Sequence, residues 1–149
     1  MKVTVIGQIK NKKTGLGKAI NDVIKYIIEK NSKITEIDIT NNKLFFNVIK
    51  KIITSDTDVF YFTPSGSVGG NIRDSIYLFF MITKRKKIVT HFHNSAFGKV
   101  INSNVFTKIV NKYLYSKVDK IIVLGEKSKA MFTSLNIPEN RFVVIRNGI

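Results

Sequence analysis

The chain has 149 residues, 44% hydrophobic and 11% aromatic, with 25 Lys plus Arg against 10 Asp plus Glu for a net charge of +15. That length and apolar content bound one domain with its own core, and the absence of Cys removes disulfide scaffolds and zinc–thiolate sites. No apolar run approaches the roughly 20 residues of a membrane-spanning helix, and the first apolar run is too short for a signal peptide, so a soluble, cytoplasmic domain is expected.

Residues 3–7, with Val3, Val5 and Ile6 ending at Gly7, read as a short buried strand. Over 15–30, Leu16, Ile20, Val23, Ile24 and Ile27 recur at three-and-four spacing and predict an amphipathic helix. A second strand is expected over 34–40, a turn at Asn41 and Asn42, and a short helix over 44–53. Residues 58–63 form a third strand, stopped by Pro64, Ser65 and Gly66. A polar, glycine-rich loop then leads into a helix over 71–84, with Asn71 as its N-cap and Asp74 in its first turn. Lys84, Arg85, Lys86 and Lys87 close it where the helix dipole favours positive charge.

A fourth strand over 88–93 ends at His93, and a helix over about 100–116 follows. The fifth strand covers 120–124, a short helix 126–135, and the sixth strand 141–145 after the break at Pro138. Strand and helix thus alternate along the whole chain, which specifies an α/β domain: a Rossmann-like parallel sheet of about six strands with helices on both faces. Right-handed crossovers lead to an expected strand order of 3-2-1-4-5-6. Ligands of such sheets bind beyond the carboxyl ends of the strands, so residues just after strands are the functional candidates.

Gly15 and Gly17, between the first strand and first helix, let a ligand approach backbone and a helix N-terminus, though a tight turn explains them equally. Neither the Walker A spacing nor the third glycine of a dinucleotide fingerprint is present, so Asp38 at the end of the second strand does not make a dehydrogenase. Ser65 and Arg73 lie on and just after the loop following the third strand, where Arg73 could meet a phosphate or carboxylate. Asp74 there reads as a residue serving the helix dipole.

His91 and His93 share one face of the fourth strand. No third ligand lies near them in sequence, so no metal is expected. His91 reads as a hydrogen-bonded core residue; His93, with Asn94 beside it, ends the strand where an imidazole can orient a hydroxyl or meet developing charge.

The charge has two explanations. Lys, Asn and Ile make up about two-fifths of the chain and Arg occurs four times, a skew that AT-rich coding would give whatever the protein did. The charge still steers the chain toward anionic partners. The apolar and basic residues over 100–117, and the run 77–82 followed by four basic residues, suit packing into a core and also attachment to an anionic membrane surface.

Residues 118–129 and 136–149, with Asp119 before the fifth strand and Asn147-Gly148 at the close, resemble the end of the acceptor domain of family 4 glycosyltransferases. His91 and His93 ending strand four, Arg73 with Asp74, and Gly15 with Gly17 resemble the same group, particularly its polysaccharide-assembly members. The resemblance implies half of a GT-B fold: an N-terminal, acceptor-side domain of a retaining enzyme that uses a nucleotide-sugar donor and no cofactor. It further implies His93 near the transferred sugar, Gly15 and Gly17 near the donor diphosphate, and Ser65, Arg73 and Asn94 on the acceptor side. The acceptor would be a glycan or lipid-linked sugar at the inner membrane face. The nucleotide-binding second domain of that family is not in this sequence, so the chain by itself is expected to be inactive. The rival reading is a basic binding module for nucleic acid or a protein partner; scarce Arg and the lack of an RNA-binding signature count against nucleic acid.

Overall fold

The structure, a computed structural model, describes residues 1–146. Six strands form one sheet in which every neighbouring pair is parallel: β1 (Lys2–Gly7), β2 (Lys33–Asp38), β3 (Val59–Phe62), β4 (Lys87–His91), β5 (Lys120–Val123) and β6 (Phe142–Val144). The helices are α1 (Gly15–Glu29), α2 (Phe45–Thr54), α3 (Val68–Thr83), α4 (Phe97–Ile101) and α5 (Val105–Ser116). This is the expected α/β architecture of a Rossmann-like domain.

The strand order is β2-β1-β3-β4-β5-β6, not 3-2-1-4-5-6. Right-handed crossovers permit both orders, and side-chain polarity chooses between them. Lys33, Thr35 and Glu36 of β2 are exposed, as an edge strand tolerates. Phe60, Tyr61 and Phe62 of β3 are all buried, which requires cover on both faces and neighbours on both sides. β3 therefore sits inside and β2 outside.

Alternation along the strands sorts the core into two clusters. Val3, Val5 and Tyr61 pack with Ile20 and Ile24 of α1 on one face. Phe60, Phe62 and Ile88 pack on the other with Val48 and Ile52 of α2, Tyr77, Leu78 and Met81 of α3, and Leu114 of α5. The crossover direction reverses between β1 and β3, so the topological switch point, beside which sheets of this kind bind ligands, lies at that pair.

Local chemistry moves several element ends. α3 begins at Val68, because the Ser67 hydroxyl accepts from Gly70 N–H at 3.0 Å and caps the helix one turn before Asn71. Asn71 is drawn inward instead, exchanging two 3.0 Å hydrogen bonds with Asn111 of α5. The helix expected over 100–116 is two helices. Asn102 donates back to the Gly98 carbonyl, and Asn104 accepts from Thr107 N–H to start α5. Residues Glu126–Leu135 wind as a tight 3-10 helix rather than an α-helix, ending at Asn136 with φ 52. β4 stops at His91, so His93 lies in the following loop and not in the strand. The closing Asn147, Gly148 and Ile149 lie outside the described residues.

Candidate functional site

The loops after β1, β3 and β4 meet along the carboxyl edge at the middle of the sheet. β1 and β3 approach closely there: Thr63 N–H donates to the Ile6 carbonyl at 3.0 Å, and a Cβ on Gly7 would stand 2.3 Å from the Thr63 hydroxyl. The loops after β3 and β4 interlock in turn. A Cβ on Gly66 would stand 2.8 Å from the Asn94 side chain, whose Nδ2 donates to the Pro64 carbonyl at 3.4 Å and whose Oδ1 accepts from Phe97 N–H at 3.2 Å. Asn94 therefore fixes the two loops to each other.

Beside the switch point opens a cavity of about 380 Å³, lined by Gln8, Thr40, Asn42, Phe45, Ser65, Ser67, Gly69, Gly70 and Arg73. Arg73, in its wall, is held in a fixed ion pair. Arg73 donates from Nε and Nη2 to Asp74 Oδ1 at 2.9 and 2.8 Å, and from Nη1 to Asn42 Oδ1 at 3.0 Å and the Ile39 carbonyl at 3.3 Å. Asp74 is buried, and its other oxygen accepts from Ser65 N–H at 2.6 Å. Burial pushes the Asp74 carboxyl up, while Arg73 and the Ser65 N–H pull it back toward the ionised form. The expected role of Asp74 at the helix dipole is thus corrected: α3 starts earlier, and Asp74 is the post that holds Arg73 and the loop after β3. Asp38 is likewise a loop fastener, accepting from Lys10 N–H at 3.0 Å and the Thr40 hydroxyl at 2.7 Å.

One strand away lies an aromatic cluster. Tyr61 on β3 and His91 on β4 are both buried, and the Tyr61 hydroxyl meets His91 Nδ1 at 2.5 Å. The His93 ring sits over His91 with centroids 3.9 Å apart. The two rings meet although His93 lies beyond the strand, so the contact comes from the path of the loop and not from strand alternation. Burial, reinforced by repulsion from His93, pushes His91 down to about 4, and burial lowers His93 as well. Burial also raises the Tyr61 phenol, so the phenol and both rings are neutral at neutral pH. Nε2 of each histidine is buried without a hydrogen-bond partner.

The structure thus brings Ser65 and Arg73 into one cavity, ties Asn94 to its wall, and sets His93 on the adjacent loop. Gly15 and Gly17 are not among the cavity's lining residues. Gly17 serves packing: a Cβ there would stand 1.9 Å from the Asn11 carbonyl oxygen, whereas Gly15 has nothing within 4 Å. Gln8, Thr40 and Asn42 escaped the sequence reading because polar loop residues carry no periodicity. Tyr61 did carry a signal: a hydroxyl between Phe60 and Phe62 in a buried strand needs a partner.

Among the described residues no three His, Cys, Asp or Glu side chains converge as a metal site would require. No helix among them is long and apolar enough to cross a membrane. No protein-family model and no curated protein sequence matches this chain.

Proposed function

We propose that this chain is the acceptor-binding lobe of a retaining glycosyltransferase, receiving a glycan or lipid-linked acceptor on the carboxyl edge of its sheet. In this reading a second lobe holds the nucleotide-sugar donor, which is a substrate; no cofactor takes part. The observation that carries the reading is His93, half-buried in the loop that leaves that edge after β4, its ring laid over a His91 that Tyr61 fixes and its Nε2 buried without a partner. A neutral imidazole so placed offers a hydrogen bond to a sugar hydroxyl or ring oxygen as charge shifts during transfer.

The cavity chemistry supports an acceptor rich in hydroxyls. Gln8, Thr40, Asn42, Ser65 and Ser67 present neutral donors and acceptors. The Arg73 guanidinium is engaged by Asp74, Asn42 and the Ile39 carbonyl, so it shapes the wall rather than standing ready for a free phosphate. Gly15, open at the start of α1, is where a donor diphosphate would come nearest to helix N–H groups.

The test uses the natural full-length product of the gene that encodes these residues, incubated with a panel of nucleotide sugars and glycan acceptors. Consumption of one donor is expected, and His93→Ala should lower kcat by about a hundredfold or more while leaving the urea midpoint nearly unchanged. Failure to consume any donor, or a loss of activity matched by an equal loss of stability, would overturn the reading.

A further inference from the structure

α3 and α5 are each apolar on two sides, which a helix covering a sheet does not need. On α3 the core side carries Tyr77, Leu78 and Met81, all buried, while Val68, Ile72 and Phe79 line an opposite stripe 51%, 61% and 50% exposed. On α5, Leu114 and Tyr115 point inward, while Phe106, Ile109 and Tyr113 are 77%, 61% and 57% exposed. At 100° per residue Ile109 stands directly opposite the buried side of α5, so the exposed residues form its crest rather than the margin of its core face. The two helices cover the same face of the sheet, seamed by the Asn71–Asn111 pair. Their outer stripes therefore look the same way, and a groove of about 760 Å³ runs between them.

The charge around this surface has one sign. From residue 68 to 117 the sequence holds nine Lys or Arg and a single acid, Asp74. That acid is buried against Arg73 and gives the surface no negative charge. Lys108 and Lys112 are exposed along one flank of the α5 crest, and Lys117 Nζ lies 5.7 Å over the Tyr113 ring at its end. The run Lys84, Arg85, Lys86 and Lys87 leaves the C-terminal end of α3.

We infer that the outer face of α3 and α5 docks on an anionic lipid bilayer, apolar crests in the headgroup–acyl boundary and lysines at the phosphates. Apolar side chains at the centre with basic side chains at the rim match that surface in both chemistry and charge. A second copy of the chain does not: pairing two such faces sets lysine against lysine with no acid between them. The inference rests on the surface alone and does not depend on the proposed transferase activity. It does place Gly69 and Gly70, which line the cavity in the first turn of α3, next to the docked end of the face.

The test is cosedimentation of the full chain with vesicles of phosphatidylcholine alone or mixed with phosphatidylglycerol. Binding is expected only with the anionic lipid and should weaken with added salt. Phe106→Ser with Ile109→Ser leaves the charge unchanged and replaces only exposed side chains, and it should cut binding at least tenfold. Lys108→Gln with Lys112→Gln should weaken binding about fivefold per lysine. Lys18→Gln with Lys25→Gln, on the opposite face, should leave it within twofold.

Equal binding to neutral vesicles, no binding to either, or an equal effect of the α1 pair would overturn the inference. So would a chain that is dimeric until Phe106 and Ile109 are replaced, or an RNA that competes for the face when anionic lipid does not.

Discussion

Two glycines two residues apart should respond to the same substitution with opposite signs. Alanine at Gly17 would bring Cβ to 1.9 Å from the Asn11 carbonyl oxygen and 2.7 Å from its carbon, both backbone atoms. The loop must then move, at an overpacking cost of about 1–3 kcal/mol. That loop also carries the α1 cap: the Thr14 hydroxyl accepts from Gly17 N–H at 3.2 Å and donates to the Asn11 carbonyl at 3.0 Å. Disturbing the cap adds about 1 kcal/mol. The better helix propensity of alanine offsets about 1 kcal/mol, leaving a net loss of about 1–3 kcal/mol. Gly15 meets nothing within 4 Å, so alanine there should gain a few tenths of a kcal/mol to about 1 kcal/mol. Urea unfolding followed by far-ultraviolet circular dichroism should place the Gly17→Ala midpoint about 1 M below wild type and Gly15→Ala at or above it. A Gly17→Ala protein as stable as Gly15→Ala would refute the assignment of Gly17 to packing and return it to the list of ligand-contacting residues.

Two further perturbations follow from buried polar groups. Asn111→Leu strands the Asn71 amide in the α3–α5 seam and should cost about 1–3 kcal/mol, whereas replacing both by Leu should recover much of the loss; additive losses in the double-mutant cycle would contradict the pairing. His91, held near 4 in the folded state against an ordinary value of about 6.5, binds its proton more readily once unfolded. Its contribution to stability is therefore present above about pH 6.5 and lost as the pH falls toward 4, by about 2 kcal/mol once residual solvent near the ring is allowed for. Asp74, raised in the folded state, acts in the opposite direction at lower pH, so the comparison of wild type with His91→Gln isolates the histidine. If the two proteins lose stability in parallel between pH 6.5 and 4, His91 is not buried as described.

Much of this architecture was legible because hydrophobic spacing states which segments are strands and which are helices. The spacing did not state which edge β3 joins, since both placements satisfy the right-handed rule. The polarity of Lys33, Thr35 and Glu36 against the uninterrupted apolar run of β3 carried that choice and outweighed the assumed order. The start of α3 was missed for a different reason. Gly69 and Gly70 are poor helix formers, yet Ser67 caps the turn they occupy, and Asn71 contributes more to the seam with Asn111 than it would at an exposed cap. Ser65, Arg73, His93 and Asn94 are candidates for their places after strands, and they lie beyond the ends of β3 and β4. The pairing of Tyr61 with His91 depends on β3 and β4 being neighbours, which follows only from the strand order; Asp74 meets Arg73 as its neighbour in sequence, but the bonds from Arg73 to Asn42 and the Ile39 carbonyl need the segment after β2 to lie beside α3.

Amide chemical-shift mapping on the isotope-labelled chain tests most directly the proposal that the carboxyl edge of this sheet receives a glycan. Titration with soluble glycan acceptors should shift Gln8, Thr40, Asn42, Ser65, Arg73, His93 and Asn94 together along one saturable curve, leaving the exposed side of α1 and the outer face of α5 unmoved. Shifts confined to those outer surfaces, or an edge that answers to RNA and to no glycan, would contradict it.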